Sequence, residues 1–249
     1  MVAALPLHVG FALNTLPQQE AVAMMTGVRK YQLYDKQTDR QDLPVVWQSG
    51  QAAIKFCASK TRKNAAPVLI VPSMINGTEI LDLLPDFSFV RHLAARGMDV
   101  YIIDWGKPID DADMRTMPDL VRGRLMPAFH FVAQKTQQAP HLIGYCMGGT
   151  LATIAASLEA QMLRSLTLIA APWDFHAGPV ATFVEHGRLA AKEMIAAEGR
   201  LPNRWIQNVF AAVDPNHVAK KFSNFSTMKD DSREEKIFVA VEDWLGSGA

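Results

Sequence analysis

The rhythm of hydrophobic and polar positions changes along this chain. Residues 1–27 hold no sustained period and read as irregular or helical. From Tyr31 to Ser59 the pattern suggests short strands. VVWQSG and AAIKFCAS alternate apolar and polar residues across Ser49-Gly50, which predicts an edge hairpin. The pattern then turns continuously apolar in APVLIVPS (Ala66–Ser73), MDVYIIDWG (Met98–Gly106), PHLIGY (Pro140–Tyr145) and SLTLIAAP (Ser165–Pro172). Such runs suit strands covered on both faces. Helical periods lie between them, at Asp86–Arg96, Met117–Gln137 (with a kink expected at Pro127) and Met147–Glu159. Strands alternating with helices at this spacing predict a doubly wound, mostly parallel α/β sheet.

In such a sheet, ligands bind outside the C-terminal ends of the strands. Ser73–Gly77, Asp104–Lys107, Cys146 and Pro172–Phe175 all fall at that edge. After Gly178 the alternation stops. Val180–Ala197, Asn203–Val213 and Asp231–Leu245 read as helices, and no further buried strand follows. The organisation expected is an N-terminal extension (residues 1–44), an α/β core (45–177) and an incomplete helical cap (178–249), with further strands and helices of the sheet absent.

Composition narrows the function. Lys+Arg and Asp+Glu number 25 each, so the net charge is zero and bulk electrostatics argue for no nucleic-acid or anionic-membrane partner. No apolar run reaches the roughly 18–20 residues of a membrane span. The N-terminus lacks the basic start of a signal peptide, which favours a reducing, cytoplasmic setting. There, Cys57, inside a predicted strand, reads as a small buried hydrophobe. Cys146 reads differently. It is the centre of Gly144-Tyr145-Cys146-Met147-Gly148, after an apolar strand and before a helix.

That strand–turn–helix context is a nucleophile elbow with sulfur in place of the usual hydroxyl. The turn needs small neighbours, and the helix N-terminus favours a thiolate. The main-chain N–H of Met147 is then one oxyanion donor, and the loop after Ala66–Ser73, at Met74, Ile75 or Asn76, supplies the second. A thiolate exchanges readily with thioesters, which favours acyl transfer over hydrolysis. No phosphate-binding glycine loop and no metal-spaced Cys/His cluster is present, so no cofactor is expected.

Together VPSMINGTEILDL, RHLAARGMDVYIIDWGKP, GYCMGGTLA, LTLIAAPWDF and the late EDWL resemble the polyhydroxyalkanoate synthases, most closely their short catalytic subunits. The resemblance covers roughly residues 45–249. It implies an α/β-hydrolase fold with a cap, and an acyltransferase that polymerises (R)-3-hydroxyacyl-CoA with release of CoA. It implies Cys146 as the nucleophile carrying the chain as a thioester, with CoA thioester as substrate rather than cofactor. It also implies a second synthase subunit or a homodimer, and a polyester granule surface as the cytoplasmic setting. Two places depart from the family: Gly77-Thr78 stands where a bulkier basic or aromatic pair is usual, and Trp244–Gly248 where an Asn-Asp pair is common.

A triad in this fold runs nucleophile, acid, histidine. Downstream of Cys146 the histidines are His176, His186 and His217, and each reads as a surface or packed cap residue. Asp174, after the next strand, is the weaker candidate acid, since the family keeps its acid later. Asp104 reads as structural. The family acid and histidine are expected beyond Ala249, so the chain reads as truncated at its C-terminus. A thioesterase, esterase or polyester depolymerase is the alternative on the same scaffold. A catalytically silent partner subunit is the other. Phe183, Trp205, Phe210, Phe222, Phe225, Phe238 and Trp244 could cover an acyl tunnel, though packing of the cap itself explains most of them.

Overall fold

The computed structural model describes residues 17–35, 41–106, 116–202, 205–206 and 215–247. In chain order, helix α1 (Gln18–Leu33) precedes strands β1 (Val45–Ser49), β2 (Ala52–Cys57) and β3 (Ala66–Val71). A single tight turn (Thr78–Leu81) leads to a small hairpin, β4 (Asp82–Leu84) and β5 (Phe87–Ser88), then α2 (Phe89–Ala95) and β6 (Met98–Asp104). Next come α3 (Met117–Leu120), a π-helical turn (Val121–Leu125), α4 (Met126–Thr136), β7 (His141–Tyr145), α5 (Met147–Leu158) and β8 (Ser165–Ile169). Helices α6 (Gly178–Glu198), α7 (Pro215–Ser226) and α8 (Arg233–Ser247) follow. The chain divides into two compact units, one built on residues 39–176 and one joining the N-terminal residues to 177–246.

The first unit is a six-stranded sheet in the order β1-β2-β6-β3-β7-β8. The β1–β2 and β2–β6 pairs are antiparallel, and β6–β3, β3–β7 and β7–β8 are parallel. The continuous apolar runs are explained by burial on both faces. Along β3, Leu69 and Val71 join one core with Tyr101, Ile103, Leu125, Phe129 and Leu151. The alternate residues Val68 and Ile70 join the other with Val100, Ile102, Val90 and Ala94. Period-two alternation sends successive side chains to opposite layers. The fold is the expected α/β class.

Some expectations are corrected. β8 was expected to be covered on both faces like the other apolar runs. Instead it is largely exposed, with Leu168 at 47% and Ile169 at 37%. It is the last strand in the sheet order, and its apolar run has a paired neighbour on one side alone. The helix expected from Asp86 starts at Phe89, because Ser88 caps it by accepting the N–H of Arg91 at 2.9 Å. The helix expected over Met117–Gln137 is interrupted by the π turn Val121–Leu125, which runs directly into the first turn of α4 that holds Pro127. The predicted helix Asn203–Val213 lies outside the described residues apart from 205–206.

In the second unit, α1 runs through Tyr31 to Leu33, where short strands were expected to begin. Tertiary contacts hold it. Met24 and Val28 pack with Val218, Ala219 and Phe222. Lys30 is ion-paired with Asp230 at 2.9 Å and with the buried Glu235 at 2.8 Å. Phe225 stacks on Phe238 with ring centroids 4.1 Å apart, and Phe222 meets Phe238 edge-on at 5.5 Å. These aromatics form the core of this unit. Among the described residues no helix is long and apolar enough to cross a membrane.

Candidate active site

β7 ends at Tyr145 and α5 begins at Met147, so Cys146 alone makes the turn between strand and helix. Its backbone sits at φ 53°, ψ −130°. A side-chain-bearing residue there costs on the order of 1–3 kcal/mol, so the surroundings must enforce it. They do so through both main-chain groups. The Cys146 N–H donates to the Ile169 carbonyl at 2.9 Å, and its own carbonyl accepts from the Gly149 N–H at 2.8 Å.

The flanking glycines are required by contact. A Cβ on Gly148 would lie 2.1 Å from the Val71 carbonyl oxygen and 2.3 Å from that of Pro72. A Cβ on Gly144 would lie 2.4 Å from the Cα of Gly149. Helix α5 therefore starts directly against the ends of β3 and β7. Of the free cysteines, Cys57 is buried and Cys146 is partly exposed. Burial raises the Cys57 thiol above its ordinary pKa, which suits its structural role. Tyr145, beside Cys146, has its phenol raised by burial first and by the neighbouring charge of Cys146 second.

The loop after β3 is where the second oxyanion donor was expected. Ser73 and Asn76 are buried. The Ile75 N–H donates to Ser73 Oγ at 3.2 Å. The N–H of Met74 donates to no group among the described residues. Met147, as the first residue of α5, also has an N–H without an intrahelical acceptor. On the other side, Thr150 Oγ1 donates to the Pro172 carbonyl at 2.6 Å and ties α5 to the segment after β8. In the parallel register Val71 pairs with Gly144 and Tyr145 with Ile169, so these segments share one sheet edge.

A family model described as the alpha/beta hydrolase fold matches residues 66–246. The chain belongs to the α/β-hydrolase fold family. Among curated proteins it is 33% identical to the poly(3-hydroxyalkanoate) polymerase subunit PhaC of Haloferax mediterranei, over 82% of this chain and 42% of that one. It is 31% identical to PhaC of Haloarcula marismortui over 75% of this chain and 40% of that one. It is 29% identical to PhaC of Synechocystis over 72% of this chain and 50% of that one. The matched region therefore spans half or less of these relatives. The expected resemblance to the polyhydroxyalkanoate synthases is matched by these relatives.

In this α/β-hydrolase fold, the other candidate residues are exposed or engaged locally. Asp174 is exposed, and its Oδ1 accepts the His176 N–H at 2.8 Å in a local turn. His176 Nδ1 lies 3.7 Å from the same oxygen and is almost fully exposed. His217 is exposed on α7, and the side chain of His186 lies outside the described set. Among the described residues no side chain hydrogen-bonds to Cys146 Sγ. Asp104 is structural: it pairs with Lys55 at 2.6 Å and accepts the Gly106 N–H at 3.0 Å.

Sequence reading placed Ser73 and Trp105 in segments at this edge without giving either a role, and it missed Thr150. A threonine in the first turn of the helix after Cys146 was the visible signal. The partners of Thr150 and Trp105, however, are main-chain carbonyls on other segments, which no pattern of residue types reveals.

Proposed function

We propose that this chain is the nucleophile-bearing part of an acyltransferase that builds polyhydroxyalkanoate from (R)-3-hydroxyacyl-CoA. The observation that carries the reading is a cysteine held in the strained elbow of an α/β-hydrolase. The similarity to PhaC proteins supports the substrate class.

In this reading Cys146 Sγ attacks the thioester carbonyl carbon. The oxyanion accepts hydrogen bonds from the N–H groups of Met147 and Met74. The Ile75-Asn76 segment shapes the loop that presents Met74. The carbon–sulfur bond to CoA then breaks, and the proton from the cysteine thiol leaves with the CoA thiol. The acyl group now rides on Cys146 as a thioester. The hydroxyl of a second hydroxyacyl-CoA attacks the thioester carbonyl carbon: the ester C–O bond forms, the carbon–sulfur bond to Cys146 breaks, and the hydroxyl proton returns to the cysteine sulfur as the chain lengthens. Thiol-to-thiol exchange is nearly isoenergetic, so the acyl group on Cys146 stays activated for transfer to the hydroxyl. The CoA thioester is a substrate, and no resident cofactor enters the scheme. A second subunit or second copy, and a polyester surface, are the partners this function calls for.

The test is incubation with (R)-3-hydroxybutyryl-CoA, stopped and divided for intact-protein mass and product analysis. An acyl adduct mapped to Cys146, with CoA released and oligomer formed, supports the reading. Free hydroxyacid without oligomer assigns a hydrolase. No adduct and no turnover, with an active partner subunit unaffected by Cys146→Ala, assigns a silent partner.

A further inference from the structure

Trp105 follows β6 and is buried, 7% exposed. Its indole N–H donates to the Pro72 carbonyl at 3.0 Å, across 33 positions of sequence. Pro72 opens the loop that carries Ser73 and Met74. On its other side the same carbonyl faces Gly148, in the first turn of the nucleophile helix, at a spacing that admits no Cβ. The Pro72 carbonyl is thus fixed from two directions, by the indole of one strand end and by the helix that starts at Cys146.

Trp105 is itself fixed. Asp104 Oδ1 accepts the Gly106 N–H at 3.0 Å, which closes the turn around Trp105, and Asp104 Oδ2 pairs with Lys55 of β2 at 2.6 Å. A peptide plane held at its carbonyl has its next N–H directed as well, since the peptide unit is rigid. We infer that Trp105 is a positioning residue for acyl transfer at Cys146: by holding the Pro72 carbonyl it sets the Ser73–Met74 main chain relative to the nucleophile. This rests on the acyl-transfer reading above. Asp104, Trp105 and Gly106 then form a unit whose product is the orientation of a loop they do not belong to.

The experiment compares the full chain with Trp105→Phe and with Trp105 replaced by 3-benzothienylalanine, which keeps the ring shape and loses the N–H. Two rates are measured at Cys146: acylation by (R)-3-hydroxybutyryl-CoA, and alkylation by iodoacetamide. Alkylation forms no oxyanion, so misplacing the loop should leave it unchanged. Acylation should fall by about tenfold or more, the scale of disturbing one oxyanion donor. Equal losses in both rates, or no loss in either, overturn the inference. Amide hydrogen exchange over residues 73–77 is the independent readout. If the parent chain takes no acyl group, the acyl-transfer reading fails by itself. Positioning of the loop is then decided by exchange: faster in both variants supports it, and unchanged exchange overturns it.

Discussion

The N–H of Cys146 is bonded to the carbonyl of Ile169, 2.9 Å away on the neighbouring strand. The β7–β8 ladder therefore continues into Cys146, although that residue has already left strand geometry at φ 53°. One consequence is measurable. Glycine accepts positive φ without penalty, whereas alanine keeps the strain. Cys146→Gly should be more stable than Cys146→Ala by about 1 kcal/mol, read from urea unfolding midpoints. Both should abolish acyl attachment. Equal midpoints would show that the turn is not strained in solution.

Gly148→Ala should be severe for a different reason. The added Cβ meets the carbonyl oxygens of Val71 and Pro72, and both are main chain at the end of a buried strand. Neither can rotate away as a flexible side chain would. A loss of about 2–3 kcal/mol is expected, in the range of overpacked cores. Acylation of Cys146 should be lost even at temperatures where the variant is folded. A near-neutral variant would mean that α5 can slide along the sheet.

Asp174 gives the opposite expectation. It is exposed and engaged with the His176 N–H in its own turn. Asp174→Asn should leave the pH profile of Cys146 alkylation unchanged. A shifted profile would make this carboxylate part of the charge environment of the thiol after all.

These sites differ in how far residue types alone expose them. The strands β3, β6 and β7 were readable because burial on both faces leaves an unbroken apolar run. The same cue misjudged β8, because an apolar run does not tell whether a neighbour lies on each side. The elbow was readable because Gly144, Gly148 and Gly149 are steric necessities close in sequence. The bond of Trp105 was not, because its partner is the Pro72 carbonyl, just past β3 and 33 positions earlier. Nor was the end of α1, which depends on pairing between Lys30 and residues about two hundred positions later.

That pairing yields another expectation. Lys30 Nζ contacts Asp230, Glu235 and the Met228 carbonyl, and lies 5.2 Å from the Phe225 ring centroid. Glu235 is 2% exposed and also accepts the Asp231 N–H at 2.8 Å. Lys30→Met keeps the aliphatic stem and strands a buried carboxylate. Removing one partner of such a pair costs about 3 kcal/mol. Adding Glu235→Gln should recover part of that loss, seen as a partial return of the helical unfolding midpoint. No recovery would mean that Lys30 acts through its packing alone.

The sheet should also carry an alkaline limit set by Tyr101. This residue is buried in the core with Leu69 and Ile103, and its ring lies 4.7 Å from that of Phe56. Burial first, and the charge of Asp99 second, push its phenol from 10.0 up to about 12. Below pH 10 the phenol is protonated in both folded and unfolded chains, and its contribution is whole. Between pH 10 and about 12 the unfolded chain releases the proton first, so stability falls as pH rises. The full loss is about 2–3 kcal/mol for this residue, at roughly 1.4 kcal/mol per pH unit. Tyr101→Phe has no proton to lose. Its unfolding midpoint should fall less than that of the parent chain when pH is raised from about 9 to about 11.5, across the titration that linkage assigns to this phenol. Parallel falls would place the alkaline sensitivity in other groups, such as Tyr31 and Tyr145, whose phenols are also raised.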